Sequence, residues 1–293
     1  MNHVKTTLAS GLWFVGVPIG TARDITLRAL DVLASADVLV AEDTRSLRKL
    51  MDIHGVPLDG RRVQALHDHS KGAQVDRLVA QAAGGASVAY ASEAGMPLIA
   101  DPGFELGRAA REAGVPVNCA PGPSAVLTAL VVGGLPTDAF HFGGFLPATR
   151  AARRKALQDL SDIRATLVLY ESPKRLGALL GDAAQVLGPE RPATICRELT
   201  KRFEDVRNGT LGDLMDTYTD TAPKGEIVVL IGRAAKSGVN EIDIDQALSS
   251  ALKDMSVKDA AAFVADALGL PRRRVYQRAL ELGRMTDDSK RNT

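Results

Sequence analysis

The chain predicts an α/β fold in two halves, the first built on a parallel sheet, with a small helical appendix. Three features carry this. Short apolar runs alternate with helically spaced segments through the first 120 residues, and a second set of longer, β-branched runs follows an Ala/Leu/Val-rich stretch at 125–133. Residues 246–284 are helical in pattern throughout. Strands that are apolar on both faces and separated by helices argue for a parallel sheet covered by those helices.

In order, residues 12–17 read as a strand, 25–34 as a helix, 38–41 as a strand and 46–54 as a helix. A polar helix at 75–83 precedes a strand at 87–91, and a helix at 104–113 precedes a strand at 115–120. After "PGPS", the apolar helix 125–133 ends at Gly133-Gly134. The strands "AFHFGGF", "ATLVLYES", "RPATICRELT" and "GEIVVLIG" follow, with one clear helix at 174–187. These readings divide the chain into an α/β domain at 1–122, a second at 123–234, a helical appendix at 235–285 opened by a polar linker, and a disordered tail at 286–293.

With 293 residues, 45% of them hydrophobic and 24% charged, the chain has the composition of an ordinary soluble globular protein. No apolar run approaches the roughly 20 residues that span a bilayer. The N-terminal stretch carries one lysine and an apolar run too short for a secretory signal, so a cytoplasmic protein is expected. Cys119 and Cys196 stand alone, with no CxxC pair, which gives neither a disulfide framework nor a zinc site. "HDH" at 67–69 has no third ligand spaced nearby and reads as a surface loop, so no metal is expected. Neither a GxSxG elbow nor a Cys/His pairing suggests nucleophilic hydrolysis. His141 alternates within a strand.

Lys and Arg number 36 against 35 Asp and Glu, which argues against a uniformly basic nucleic-acid coat. Two local basic stretches remain. One holds Arg150, Arg153, Arg154 and Lys155; the other, 271–284, opens with Arg272, Arg273 and Arg274. In the second, Ser256 and Asp259 resemble a capping box, a helix runs to about residue 268, and Pro271 starts another. Helix–turn–helix spacing results, and a plain αα-hairpin used for docking fits it equally well.

The chemistry-bearing stretches sit at strand ends, where open α/β sheets bind ligands. In "SVAYASEAGMPLIADPG", 87–103, an apolar run stops at Ser92-Glu93 and gives way to glycine, proline and acid. "VGVPIGTARD" puts Pro18 and Gly20 after the first strand, without the GxGxxG or GxxxxGK[ST] spacing of a nucleotide fingerprint. "AEDTR" crowds Glu42, Asp43 and Arg45 at another strand end, where Thr44 is a fair N-cap and an acid also suits the helix dipole. "PGPSA", 121–125, is a hinge, a ligand wall, or both. "YESPKR", 170–175, opens a helix with proline at its first position, and "RELTKRFED" sets Arg197, Glu198 and Lys201 beside a strand end.

Taken together and in this order, "VGVPIGTARDITLRALDVLASADVLVAEDTR", "SEAGMPLIADPG", "PGPSA", "GLPTDAFHFGGFLP", "YESPKR", "RELTKRFEDVRNGTL" and "KGEIVVLIG" resemble the RsmI family of the tetrapyrrole methylase superfamily. The resemblance spans about residues 11–233, and the appendix is similar to that family's C-terminal helix–turn–helix. Family members usually show Asp at the position of Glu93, Thr at that of Met96, and "YESPHR" for "YESPKR".

The resemblance implies a two-domain tetrapyrrole-methylase-like fold with S-adenosylmethionine between the domains, a homodimer, and methylation of the ribose 2′-hydroxyl of a decoding-centre cytidine in 16S rRNA of the small ribosomal subunit. On that reading the cofactor falls to Pro18, Gly20, Ser92, Glu93, Ala94, Gly95, Met96, Pro97, Leu98, Ser124, Ala125, Glu171 and Ser172. RNA phosphates fall to Arg150, Arg153, Arg154, Lys155, Arg272, Arg273 and Arg274. Proton removal falls to Glu42 or Asp43 facing Glu198 and Lys201, the lysine serving as a base only if its pKa drops by several units. Two other functions compete: a corrin-pathway methylase acting on carbon, and a non-catalytic RNA-binding ribosome-assembly factor. The basic stretches favour a polyanion over a corrin ring.

Overall fold

The face that each strand residue presents decides the layering of the first half. In the computed structural model, which describes residues 3–66, 72–99, 103–219, 222–234, 241–268 and 270–291, β1 (Gly11–Val15) is followed by α1 (Leu27–Ser35) and β2 (Val38–Ala41). Next come α2 (Thr44–Ile53), β3 (Val63–Ala65), α3 (Gly72–Ala83), β4 (Ser87–Ala91), α4 (Phe104–Glu112) and β5 (Val117–Ala120). The five strands form a wholly parallel sheet in the order β3-β2-β4-β1-β5.

Side chains alternate across the sheet. Trp13, Val15, Leu39, Ala41, Ala89 and Ala91 pack with α1 and α2, while Leu12, Phe14, Val40, Val88 and Tyr90 pack with α3 and α4. Helices thus cover both faces, as the unbroken apolar runs required.

The second half opens with α5 (Ala125–Val132), β6 (Phe140–Phe145), α6 (Arg150–Asp159), β7 (Thr166–Glu171) and α7 (Leu176–Leu187). It closes with β8 (Pro192–Arg197), β9 (Asp205–Thr210), α8 (Leu211–Tyr218) and β10 (Ile227–Ile231). The sheet runs β6-β7-β10-β8-β9 and is mixed: β6 lies parallel to β7, and every other neighbour is antiparallel. One face packs on α6, α7 and α8; the other meets α5 and Ile19. Residues 1–234, with both sheets, form one compact unit.

Four elements escape the sequence reading: β3, α6, β9 and α8. The strand β3 is three residues long, and α6 buries only Arg153 and Leu157. The edge strand β9 is polar and half-exposed; Thr210 and Asp213 form a capping box at the start of α8. Pro173 does not start α7: it lies in a turn, and the helix begins at Leu176 with Arg175 as its cap.

Residues 235–293 form a second unit. In it α9 (Glu241–Ala251), α10 (Val257–Leu268) and α11 (Arg272–Arg291) close around Ile244, Leu248, Ala261, Val264, Val275 and Ala279. Arg278 grips Asp245 through Nε and Nη2 at 2.7 and 2.8 Å, tying α11 to α9. Ser256 caps α10, its hydroxyl accepting from Asp259 N–H at 3.2 Å. Two expectations are corrected here: α9 starts inside the supposed linker, and α11 runs on into the supposed tail as far as Arg291, with no Pro or Gly between Gly283 and that residue to stop it.

Candidate functional site

The carboxyl ends of β2, β4, β1 and β5 lie side by side, and the loop after each joins one floor. Val17 and Gly95 exchange backbone hydrogen bonds of 2.9 and 3.1 Å, so the turn after β1 is stitched to the segment after β4. Gly95 takes φ +69°, and Leu98 takes φ +74°, a left-handed conformation rarely tolerated by a side chain. Gly16 and Gly122 meet so closely that a Cβ on Gly16 would stand 2.6 Å from Gly122 N. The Met96 thioether fills the adjoining space and accepts from Gly122 N–H at 3.2 Å. A Glu42 carboxylate oxygen accepts from Glu93 N–H at 3.1 Å, and Glu42 N–H donates to Ala91 O at the same distance.

The facing wall comes from the mixed sheet. Tyr170, Cys196 and Val228 present the face not covered by α6–α8, and Phe145 joins them at the end of β6. A bulge sets that position: the register with β7 shifts between Phe142 and Gly144, where Gly144 takes φ +59°. Phe142 and Phe145 consequently both meet Tyr170 edge-on, with ring centroids 5.0 and 5.6 Å away. Glu171 is buried beside them. Its Oε1 accepts from Ser172 N–H at 2.8 Å and pairs with Arg175 Nε at 3.2 Å, while Oε2 has no hydrogen-bond partner among the described residues.

Between floor and wall lies a cavity of about 650 Å³, within the size range of small-molecule and cofactor sites. Burial deprives the Cys196 thiol of solvation and pushes it up to about 12, so it lines the cavity as an inert apolar group.

A solvent-exposed clasp ties the turn after β1 to the loop after β8. Thr21 N–H donates to the Thr200 hydroxyl at 3.2 Å, and the Thr21 hydroxyl donates to Thr200 O at 2.8 Å. The loop so held is strained, with Glu198 at φ +52° and Thr200 at φ +64°. Lys201 Nζ lies 2.9 Å from Glu198 and 3.0 Å from Glu226. Burial alone would lower the Lys201 pKa, but hydrogen bonds to both carboxylates outweigh it and hold the ammonium above its usual range. The backbone N–H of Glu226 and then the Lys201 side chain hold Glu198 below the usual carboxylate range.

Of the expected cofactor residues, Pro18, Gly20, Glu93, Ala94, Gly95, Met96, Ser124, Ala125, Glu171 and Ser172 line the cavity together, as does Glu42. Ser92, Pro97 and Leu98 do not. The Ser92 hydroxyl turns back to Ala94 O at 3.3 Å, and Leu98 serves the backbone turn.

Three further expectations are corrected. The condition set for Lys201 as a base is not met: its two carboxylate partners move its pKa up rather than down. Asp43 is the N-cap of α2, its Oδ1 accepting from Arg45 and Ser46 N–H at 2.7 and 3.3 Å. Arg153 cannot reach RNA: only 5% exposed, it spends Nε and Nη2 on buried Asp182 at 2.8 and 2.6 Å. Arg150 also reaches Asp182, at 3.2 Å, while Arg154 is half-buried and Lys155 exposed. Arg272, Arg273 and Arg274 are exposed in the second unit, with Arg272 paired to Asp266.

The sequence reading did not include Ser46, Ile99, Phe145, Tyr170, Leu199 and Gly225–Val228 in the site. The Gly-Gly of "FHFGGF" was the available signal for Phe145. Residues 67–69, expected to form a surface loop, lie outside the described residues. Among the described residues there is no group of three or more His, Cys, Asp or Glu able to hold a metal, and no helix long and apolar enough to cross a membrane.

The profile of the Tetrapyrrole (Corrin/Porphyrin) Methylases matches residues 11–215, and that of the RsmI C-terminal HTH domain matches 239–283. The Ribosomal RNA small subunit methyltransferase I of Mesorhizobium japonicum is 46% identical over 277 residues, covering 94% of this chain and 93% of its own. That of Vibrio cholerae is 41% identical, covering 92% and 94%. Among solved structures, the uroporphyrin-III-C-methyltransferase of Thermus thermophilus superposes with a TM-score of 0.54 at 26% identity, covering 76% of this chain and 94% of that one.

Proposed function

The chain belongs to the tetrapyrrole methylases and, within them, to the ribosomal RNA small subunit methyltransferase I family; from that premise we propose that it carries a methyl group from S-adenosylmethionine to the ribose 2′-hydroxyl of a decoding-centre cytidine in 16S rRNA. The observation that carries the reading is likeness along nearly the whole chain, appendix included, to curated rRNA methyltransferases. The porphyrin-methylating structure leaves about a quarter of the chain without a counterpart, which weighs against the corrin reading.

The residues present suit the cofactor. The buried Glu171 Oε2 is an acceptor in need of a donor, and a cationic ligand bearing amino groups supplies one. Gly95, Met96, Ser124 and Ala125 would hold such a ligand on the floor, and Glu171 and Ser172 on the wall. When bound, S-adenosylmethionine supplies a methyl group already activated by its sulfonium.

The chain's own part is to orient the hydroxyl, exclude water and receive a proton. Glu42 is the proton acceptor in this reading, because it lines the cavity and the Glu93 N–H fixes its position. Lys201, paired with both Glu198 and Glu226, is a positioning residue that holds the loop carrying cavity-lining Leu199.

Arg154, Lys155 and the Arg272–Arg274 cluster are the remaining candidates for phosphate contacts, and action on ribosomal RNA implies a cytoplasmic enzyme. The expected homodimer is best supported by α5, which is apolar around its circumference. Val126, Ala129 and Leu130 face inward, while Leu127, Val131 and Val132 remain exposed, Val131 by 83%.

The test is mass mapping of 16S rRNA after incubating the protein and S-adenosylmethionine with small subunits that lack the modification. A single methyl on a decoding-region cytidine ribose is expected; an unmodified RNA, or a methyl on a base, overturns the reading.

A further inference from the structure

The cavity has a dry end and a wet mouth. Ile19, Cys196, Leu199, Ile227 and Val228 are all buried, whereas two large apolar side chains stand half out of water at the mouth. Phe145 is 57% exposed on the mixed-sheet wall, and Ile99 is 42% exposed on the opposite lip. Exposing a ring there is not an accident of strand alternation. The Gly143-Gly144 bulge brings Phe145 to the same side of Tyr170 as Phe142, and the bulge is built from glycine for two separate reasons. A Cβ on Gly143 would stand 2.8 Å from Leu169, and Gly144 needs φ +59°.

A partly hydrated aromatic face at the mouth of a largely apolar cavity suits a flat ligand that enters from solvent. Cationic groups flank the same mouth. Arg45, whose side chain is 90% exposed and pairs at its edge with Asp43 at 3.2 Å, adjoins cavity-lining Ser46 in the chain, and exposed Lys174 follows cavity-lining Pro173. A nucleotide presents this combination of a planar base with phosphates on either side. If the ribose hydroxyl is to point into the dry end, the base cannot stay in its helical stack and must rest further out.

We infer that Phe145 is the stacking platform for the nucleobase of the nucleotide being methylated, with Arg45 and Lys174 holding the neighbouring phosphates. The inference rests on the rRNA reading above and deepens it by naming where the substrate leaves its stack. Because every base has a π-face, the ring governs capture of the extruded base and not which base is chosen.

The experiment compares full-length wild type, Phe145→Ala and Phe145→Trp on unmethylated small subunits, with calorimetry of S-adenosylhomocysteine on each. Loss of one base–aromatic stack should lower kcat/KM for subunits by about 5- to 150-fold. S-adenosylhomocysteine affinity should be unchanged, which also reports that the variant is folded, and Phe145→Trp should keep most of the activity. If Phe145→Ala binds S-adenosylhomocysteine as poorly as it methylates, the ring belongs to the cofactor and the inference falls. Full activity of Phe145→Ala overturns this inference alone. A wild-type protein that leaves 16S rRNA unmodified overturns the functional reading and this inference with it.

Discussion

Gly20 and Lys201 meet where the turn after β1 abuts the loop after β8: a Cβ on Gly20 would stand 2.5 Å from the lysine Cγ and 3.0 Å from Leu199 O. The contact joins the turn after β1 to the loop after β8, residues nearly two hundred positions apart. Gly20 therefore serves the clasp as much as any ligand. Gly20→Val should cost about 1–3 kcal/mol in denaturant unfolding, typical of overpacking, and weaken S-adenosylhomocysteine binding by calorimetry. Wild-type values of both would show that the loop moves aside freely.

The Lys201 ion pairs should be visible in the pH dependence of stability. Glu198 has a lowered folded pKa, so its contribution is present above its unfolded pKa and is lost as pH falls through the folded one. Lys201 has a raised folded pKa, so its contribution is complete below its unfolded pKa and is lost as pH rises through the folded one. The melting-temperature gap between wild type and Lys201→Met should stay flat from about pH 5 to pH 9, then close at both extremes. A gap that peaks near pH 7 would contradict the assignment.

Glu42 and Asp43 are adjacent in sequence and should behave oppositely. Asp43→Ala removes the α2 cap, costing about 0.5–2 kcal/mol of stability with methyl transfer largely kept. Glu42→Gln should slow transfer by about 10²-fold and leave S-adenosylhomocysteine affinity intact. Single-turnover rates on small subunits, read beside urea melts, separate the two.

Of the basic residues on α6 expected to meet RNA, Arg153 and Lys155 should part company. Arg153→Ala leaves Asp182 buried with one weaker partner, and a loss of about 3–5 kcal/mol is expected. Lys155→Glu should leave stability unchanged while reducing the salt slope of RNA binding by about one unit. An unchanged slope would make the α6 surface a bystander.

Val131→Glu tests the α5 face. A carboxylate at a position 83% exposed costs the folded monomer little, but in an apolar interface it should abolish dimers. Analytical ultracentrifugation reads this directly, and a variant that remains dimeric moves the interface elsewhere.

Much of this architecture was legible because burial writes a plain pattern. Apolar runs such as Leu12–Val15, buried on both faces, can only be interior strands, and the loops at their ends line the cavity. What escaped was anything whose role depends on a distant partner. Nothing in "TRAARRK" tells which arginine meets Asp182, since that pairing spans 29 residues and two helices. Lys201 could be placed near the site but not protonated or deprotonated, because Glu226 arrives from a segment far along the chain. Asp43 shows the reverse: the local cap rule found the right turn but named Thr44, one residue late, and the catalytic reading passed over the cap that Asp43 forms.

The second sheet is completed from its middle. β10 lies between β7 and β8 and pairs with both, although it is the last of the five strands to be made. A growing chain therefore offers two unpaired apolar edges until residues 227–231 emerge from the ribosome, whereas all five strands of the parallel sheet lie within the first 120 residues. Ile227 and Val228 also finish the cavity wall, so the cleft and its sheet come into being at the same moment of synthesis. A nascent fragment cut short of residue 227 carries half a site and a sticky seam, a natural substrate for chaperones and proteases.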